Sequence, residues 1–293
     1  ALVYKLKKDY DNSLKYFDLA IGFNEKYINA YFNKGLLLNS IGREKEAINC
    51  FDKCIELNPN YSYAYLNKGI SYEAMGKKEE SIELYDKAIK LNPNYAEAYL
   101  NKGISLYNDG KLEEALDNYE KAITNDNKLS IAYNNKGVCL FSLQRYEEAI
   151  EVYNKALEIN PDYFDVYINR GICLRDIGKL DEAESDFKKA LEIKPDNYLA
   201  LYHLGIGYSR MDKKFWGKAM ESFTLSIRNK PDFSNNYFYK GALEMQMGLY
   251  GDAIRSYLQC KQLRNNNDER CELKIRECTE AVNKILIQQY NKY

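Results

Sequence analysis

Residues Ser62–Tyr95 read SYAYLNKGISYEAMGKKEESIELYDKAIKLNPNY, and this stretch decides the fold. Tyr65, Gly69 and Tyr72 fall on one face at helical spacing, and after Gly76 so do Ser81, Tyr85 and Ala88. Asn92-Pro93-Asn94 stops the second run, because proline lacks the N–H a helix interior needs. The unit is a helix–turn–helix hairpin with about three turns in each helix.

Working outward, the same unit recurs. Pro59, Pro93, Pro161 and Pro195 stand on a 34-residue beat, with Asn127 in the vacant proline position, and Pro231 follows after 36. Gly35, Gly69, Gly103, Gly137, Gly171, Gly205 and Gly241 keep the same beat. Aromatic slots recur at Tyr31, Tyr65, Tyr99, Tyr133, Tyr167 and Tyr237 in the first helix. In the second they are Phe17, Phe51, Tyr85, Tyr119, Tyr153, Phe187, Phe223 and Tyr257. A third slot holds Tyr27, Tyr61, Tyr95, Tyr163 and Phe233. Glycine on one helix admits a ring from its neighbour, so much of the excess of 28 tyrosines is core and seam.

The pattern resembles the tetratricopeptide repeat family over nearly the whole chain. The resemblance implies an all-α, right-handed α-solenoid, a superhelix of helix-turn-helix repeats. Residues 1–267 form the solenoid, with a partial repeat at 1–27 and full repeats at 28–61, 62–95, 96–129, 130–163, 164–197, 198–233 and 234–267. Departures are local: Leu201 replaces an aromatic, Ser226 and Cys260 replace alanines, and the turn at Met211–Trp216 is two residues longer. Residues 268–293 leave the repeat; Cys271, Ile275, Cys278, Val282, Ile285 and Leu286 make one apolar stripe, expected to serve as a C-terminal capping helix. No comparable cap precedes the first repeat, which predicts further chain upstream of Ala1.

Composition removes several function classes. The net charge of -1 argues against nucleic-acid binding by bulk positive potential. A single histidine, His203, excludes a multi-histidine metal site. Seven cysteines without a Cys-x-x-Cys pair suit reduced, buried residues of an intracellular, cytoplasmic protein. No apolar run approaches the ~20 residues needed to span a bilayer.

Residues the fold does not require must carry the function. Taking the Tyr65/Gly69/Tyr72 side as the packed face, Asn67 lies roughly opposite at ~100° per residue. Its equivalents are Asn33, Asn101, Asn135 and Asn169, with His203 next in the series. Asparagine is a mediocre helix former, so five in register form a signal. In the family this position lines the concave surface, and the ladder resembles that in the repeat domain of O-linked N-acetylglucosamine transferases. An amide offers donors and an acceptor to a peptide backbone. The competing reading is a tolerated surface residue copied with the repeat. Leu36, Ile70, Ile104, Val138 and Ile172 lie three residues on, either as an apolar groove wall or as packing against the neighbouring repeat. Lys34, Lys68, Lys102, Lys136 and Arg170 directly follow the ladder, and Glu46, Glu79-Glu80, Glu113-Glu114 and Glu147-Glu148 balance them. They would meet an acidic partner or form a solvated, salt-paired face.

Gly69…Gly76-Lys77 and its copies have the wrong spacing for phosphate loops. His203 lacks the context of a catalytic triad, and Asn60-Tyr61-Ser62 is a chance sequon. The co-chaperone clamp for terminal carboxylates needs polar residues where this chain has Phe32, Leu66, Leu100, Leu36, Ile70 and Ile104, so chaperone tails are disfavoured. The expected function is a non-enzymatic scaffold or adaptor, without metal or cofactor, that binds an extended or helical protein segment in its groove. The alternatives are an architectural subunit docking by its convex or edge surface, and the substrate-recruiting region of a larger enzyme such as a glycosyltransferase.

Overall fold

The computed structural model describes residues 9–290, and among these the secondary structure is helical throughout. The start of the expected partial repeat (residues 1–8) and the last three residues of the expected cap lie outside the described residues. The chain divides into two compact units that meet in sequence at Arg145/Tyr146.

The first unit contains α1 (Tyr10–Phe23), α2 (Ile28–Ser40), α3 (Glu44–Leu57), α4 (Ser62–Ala74), α5 (Lys78–Leu91), α6 (Ala96–Asn108), α7 (Leu112–Asn125) and α8 (Ser130–Ser142). The second contains α9 (Tyr146–Ile159), α10 (Phe164–Asp176), α11 (Leu180–Ile193), α12 (Tyr198–Arg210), a 3-10 turn (Lys213–Phe215), α13 (Trp216–Asn229), α14 (Ser234–Gln246), α15 (Tyr250–Leu263) and α16 (Glu269–Tyr290). Within each unit, consecutive helices pack on one another and first helices of adjacent repeats also touch (α2 with α4, α4 with α6, α10 with α12). This is the all-α solenoid arrangement.

Sequence dictates both ends of each hairpin. After the first helix the chain turns through left-handed backbone, supplied by Gly42, Gly76, Gly110, Gly178 and Gly248. Gln144 takes the same conformation at φ 60, without glycine's freedom. At the far end the Asn-Pro-Asn motif forms an Asx turn: Asn58 Oδ1 accepts from Asn60 N at 3.0 Å, and Asn92 Oδ1 from Asn94 N at 3.3 Å.

The core repeats with the sequence. Phe51, Tyr85, Tyr119, Tyr153, Phe187, Phe223 and Tyr257 are almost completely buried, each worth roughly 2–3 kcal/mol of apolar burial. Phe51, Tyr85, Tyr119, Phe187, Phe223 and Tyr257 reach the opposing backbone where glycine leaves space. A Cβ on Gly69 would lie 2.6 Å from Tyr85 Cε1, and one on Gly171 would lie 2.7 Å from Phe187 Cε1. The third aromatic slot is less uniform: Tyr95 is buried, whereas Tyr27 is 46% exposed.

The long turn packs rather than dangles. Phe215 stacks on Tyr208 at 6.0 Å, and Trp216 lies half-buried against the cluster around Phe223. The final helix covers α15 with its first half. Cys271 and Cys278 are fully buried, and Ile275 packs against Ala253 and Tyr257. The expected stripe does not continue: Ile285 and Leu286 are exposed, because α16 extends past the helix it covers.

Candidate functional site

The first helices have more than one packed side. In α4, Gly69 faces Tyr85 of α5, Ala64 packs into the cluster of α3, and Ser71 Oγ donates to Asn39 Oδ1 of α2 at 2.8 Å. The expectation that Asn67 points fully away from packing is therefore corrected: the ladder asparagines Asn33, Asn67, Asn101, Asn135 and Asn169 are all half-buried. Three adopt one geometry. Asn33 Nδ2 donates to Asn29 O at 2.8 Å, Asn67 Nδ2 to Tyr63 O at 2.8 Å, and Asn101 Nδ2 to Glu97 O at 2.7 Å. Each amide spends one N–H on its own helix one turn back. That bond fixes the rotamer and leaves the Oδ1 and second N–H unused by described residues. Asn135 differs, its Oδ1 accepting from Asn134 Nδ2 at 3.5 Å.

Leu36, Ile70, Ile104 and Ile172 are half-buried and packed against core clusters, and Val138 is half-buried as well. Leu66 and Leu100 are core residues, so the ladder is bordered by a partly sunk apolar strip.

The basic column is neutralised by acids other than those expected. Lys34 pairs with Asp18 at 2.5 Å, Lys68 with Asp52 at 2.6 Å, Lys102 with Asp86 at 2.6 Å, and Lys136 with Glu120. Each partner sits on the preceding second helix, sixteen residues earlier. Arg170 instead forks onto Asp186 at 2.8 and 2.6 Å and donates to Asn154 at 2.6 Å. Glu46 serves Arg43, not the column. Exposed pairs of this kind contribute about 0.2–1 kcal/mol, so their main effect is to cancel charge.

His203 differs from the ladder asparagines in its contacts. It stacks on Phe187 at 5.9 Å, meets Tyr202 edge-on at 4.8 Å, and its Nδ1 lies 2.9 Å from Arg175 Nη1. Burial, together with the Arg175 charge, lowers its pKa to about 3, so the ring is neutral and Nδ1 accepts. Nδ1 is thereby engaged, while the residue as a whole is half-buried like the ladder asparagines.

Two features escaped the sequence reading. Phe32, Tyr61, Tyr63 and Tyr95 form an aromatic cluster, with centroids 5.3 Å apart for Phe32–Tyr61 and 5.1 Å for Tyr63–Tyr95. Tyr63 is 48% exposed and lies one turn before Asn67 on α4. The second feature is a polar seam between successive first helices. Besides Asn39–Ser71, Glu73 accepts from Ser105, Tyr107 OH lies 3.0 Å from Ser142 Oγ, and Arg175 meets His203.

Cys260, Asp268 and Cys271 form a buried group with ligand-type atoms within 4.8 Å of one another. Its chemistry is that of a helix cap. Asp268 Oδ1 accepts from Arg270 N at 3.0 Å and Cys271 N at 3.2 Å, while Oδ2 takes the Arg264 guanidinium. Burial pushes the Cys271 thiol up to about 12, so it stays protonated in this environment.

The tetratricopeptide repeat signature matches residues 28–61, 62–95, 130–163 and 164–197, and a second signature of the same description matches 84–117. No curated protein matches the sequence. Among solved structures, YrrB, described as a TPR protein with an unusual peptide-binding site, is 25% identical. That alignment covers 63% of this chain and 95% of YrrB, with a TM-score of 0.51. MamA is 29% identical over 55% of this chain and 94% of its own, with a TM-score of 0.51. The APC/C hetero-tetramer Cut9–Hcn1 aligns over 92% of this chain and 52% of its own at a TM-score of 0.70; at 14% identity that likeness concerns the fold alone.

Proposed function

The chain belongs to the tetratricopeptide repeat family, whose members mediate protein–protein interaction and assembly, and from that premise we propose a non-catalytic scaffold. Its first-helix face in the first unit holds an extended, uncharged stretch of a partner protein. The shared amide geometry of Asn33, Asn67 and Asn101 carries this reading. Three pre-oriented amides at 34-residue intervals offer an acceptor and a donor each, the complement of a peptide's N–H and C=O. Exposed Tyr63 supplies a ring for an apolar side chain beside them. Pairing of Lys34, Lys68, Lys102 and Lys136 removes the free cations that would favour an acidic stretch here. The peptide-binding description of YrrB supports the same use of the fold. Seven buried free thiols fit a reducing compartment, the cytoplasm.

A second reading, an architectural subunit docking by an outer surface, draws on Leu19 and Phe23 of α1, exposed at 47% and 90%. One experiment separates the two. A partner captured from the source cell is titrated against wild type and Asn67→Ala/Asn101→Ala, with melting followed in parallel. The ladder reading expects about tenfold weaker binding per asparagine at unchanged melting, the scale of a lost hydrogen bond that leaves a group unpaired. Wild-type affinity in the double variant would transfer the function to the outer surface.

A further inference from the structure

The second unit carries a charge arrangement unlike that of the first. Arg175 and Asp176 end α10, His203 lies in the middle of α12, and Arg210 ends α12. The Arg175 side chain is only 8% exposed; its Nε donates to Asp176 Oδ1 at 2.9 Å, and Nη1 donates to His203. Arg210 Nη1 donates to the same Asp176 Oδ1 at 3.2 Å, yet its side chain remains 49% exposed.

The charges do not balance. Two guanidiniums share one carboxylate, and His203 is neutral. Burial acts to raise Asp176, but the two guanidiniums outweigh it and hold the carboxyl below its ordinary range, so it stays ionised. The group therefore carries one surplus positive charge. Arg170, Lys240 and Arg264 each have a carboxylate partner, Asp186, Glu244 and Asp268.

Sequence periodicity independently marks the same place. One repeat earlier, Phe141 and Ser142 stand at the positions of Arg175 and Asp176, and Asn169 at that of His203. Two repeats earlier they are Tyr107, Asn108 and Asn135. Three departures from the repeat converge, Arg175 bonding both Asp176 and His203. Tandem copying does not generate such a set, and hairpin packing does not need it.

We propose that Arg210, braced by Asp176 and Arg175, receives the carboxylate of an Asp or Glu side chain on the partner segment. A single carboxylate brings the group to neutrality, whereas a phosphate dianion would leave it negative. Arg210 supplies the contact, since its guanidinium is the accessible one and its planar fork matches a carboxylate. Arg175 keeps Asp176 in place and ties it to α12 through His203. This proposal rests on the scaffold reading, and adds that the partner carries an acid where it meets the second unit.

The test needs no knowledge of the partner. The full chain is labelled with 15N-arginine, and Nε–H signals are assigned with Arg175→Lys and Arg210→Lys. N-acetyl-glutamate α-amide and N-acetyl-glutamine α-amide are titrated separately in low-salt buffer. The expected result is a saturable shift of the Arg210 signal with the glutamate compound, a several-fold smaller one with the glutamine compound, and no comparable shift at Arg43 or Arg255. Equal responses to both compounds, or a uniform response of all exposed arginines, would overturn the proposal. In the captured complex, Arg210→Gln should weaken binding three- to tenfold at low salt and less at high salt. An unchanged affinity there, with the Asn67→Ala/Asn101→Ala effect intact, sinks the acid site and leaves the scaffold reading standing.

Discussion

Gly205 and Gly207 lie two residues apart in α12 and offer a controlled comparison. Both are interior helical glycines, so replacement by alanine gains about 1 kcal/mol of helix propensity at either site. Their surroundings differ. A Cβ on Gly205 would sit 2.8 Å from Phe223 Cε1, 2.9 Å from Cδ1 and 3.1 Å from Cζ, whereas one on Gly207 meets nothing within 4 Å. Carbon atoms rest about 3.5–4.0 Å apart, so Phe223 or its helix must retreat by close to 1 Å. Phe223 is fully buried and has nowhere to go. Overpacking of this kind costs roughly 1–3 kcal/mol, which meets or exceeds the propensity gain. Gly207→Ala should stabilise by about 1 kcal/mol, and Gly205→Ala should be neutral to about 2 kcal/mol destabilising. Urea unfolding followed by Trp216 emission is the assay, because that ring packs into the same cluster as Phe223. Should Gly205→Ala prove as stable as Gly207→Ala, close approach of ring and backbone is not what selects glycine here.

Gln144→Gly should raise the urea midpoint by an amount equivalent to roughly 1 kcal/mol, since it relieves a left-handed residue at φ 60; a lower midpoint would refute the strain. His203 is neutral in the fold with a pKa lowered to about 3, so its contribution is intact above its unfolded value and drains as pH falls toward 3. Between pH 7 and 5 wild type should lose up to about 2 kcal/mol more than His203→Gln, and parallel pH profiles would contradict its burial. Removing residues 268–293 should uncover Tyr257 and Cys260 and drive aggregation, checked by light scattering; a monodisperse truncation with unchanged melting would show that α16 is dispensable. Emission from Trp216 should be blue-shifted in the folded state and insensitive to partner, because its Nε1 is buried within the fold; a water-like maximum would count against that packing.

Much of the fold was legible because the residues that set it repeat. Phe51, Tyr85 and Tyr119 each need a glycine opposite, so the pairs recur on one beat and can be counted from sequence. The site was less legible. A helical wheel assigns one packed face, but α4 packs against four neighbours (α2, α3, α5 and α6), and Asn67 is half-buried instead of in open solvent. The partners of Lys34, Lys68 and Lys102 were readable: Asp18, Asp52 and Asp86 keep the 34-residue interval, but the conspicuous Glu pairs at helix starts drew the reading away. Arg175 and Arg210 left no periodic trace because nothing like them occurs at the matching positions of the repeats before them. Only a search for departures from the period would have found them.

The polar seam between first helices has a consequence for heredity. Near-identical tandem units invite unequal crossing-over, and an array whose junctions were all alike could gain or lose members silently. Here three junctions of the first unit each have their own chemistry: amide to hydroxyl at Asn39–Ser71, carboxylate to hydroxyl at Glu73–Ser105, phenol to hydroxyl at Tyr107–Ser142. Excision of residues 96–129 would set Glu73 against Cys139, a poor donor, and strand a partly buried carboxylate that keeps only Ser81. These three junctions are therefore not interchangeable, and a recombinant that lost residues 96–129 would carry that defect.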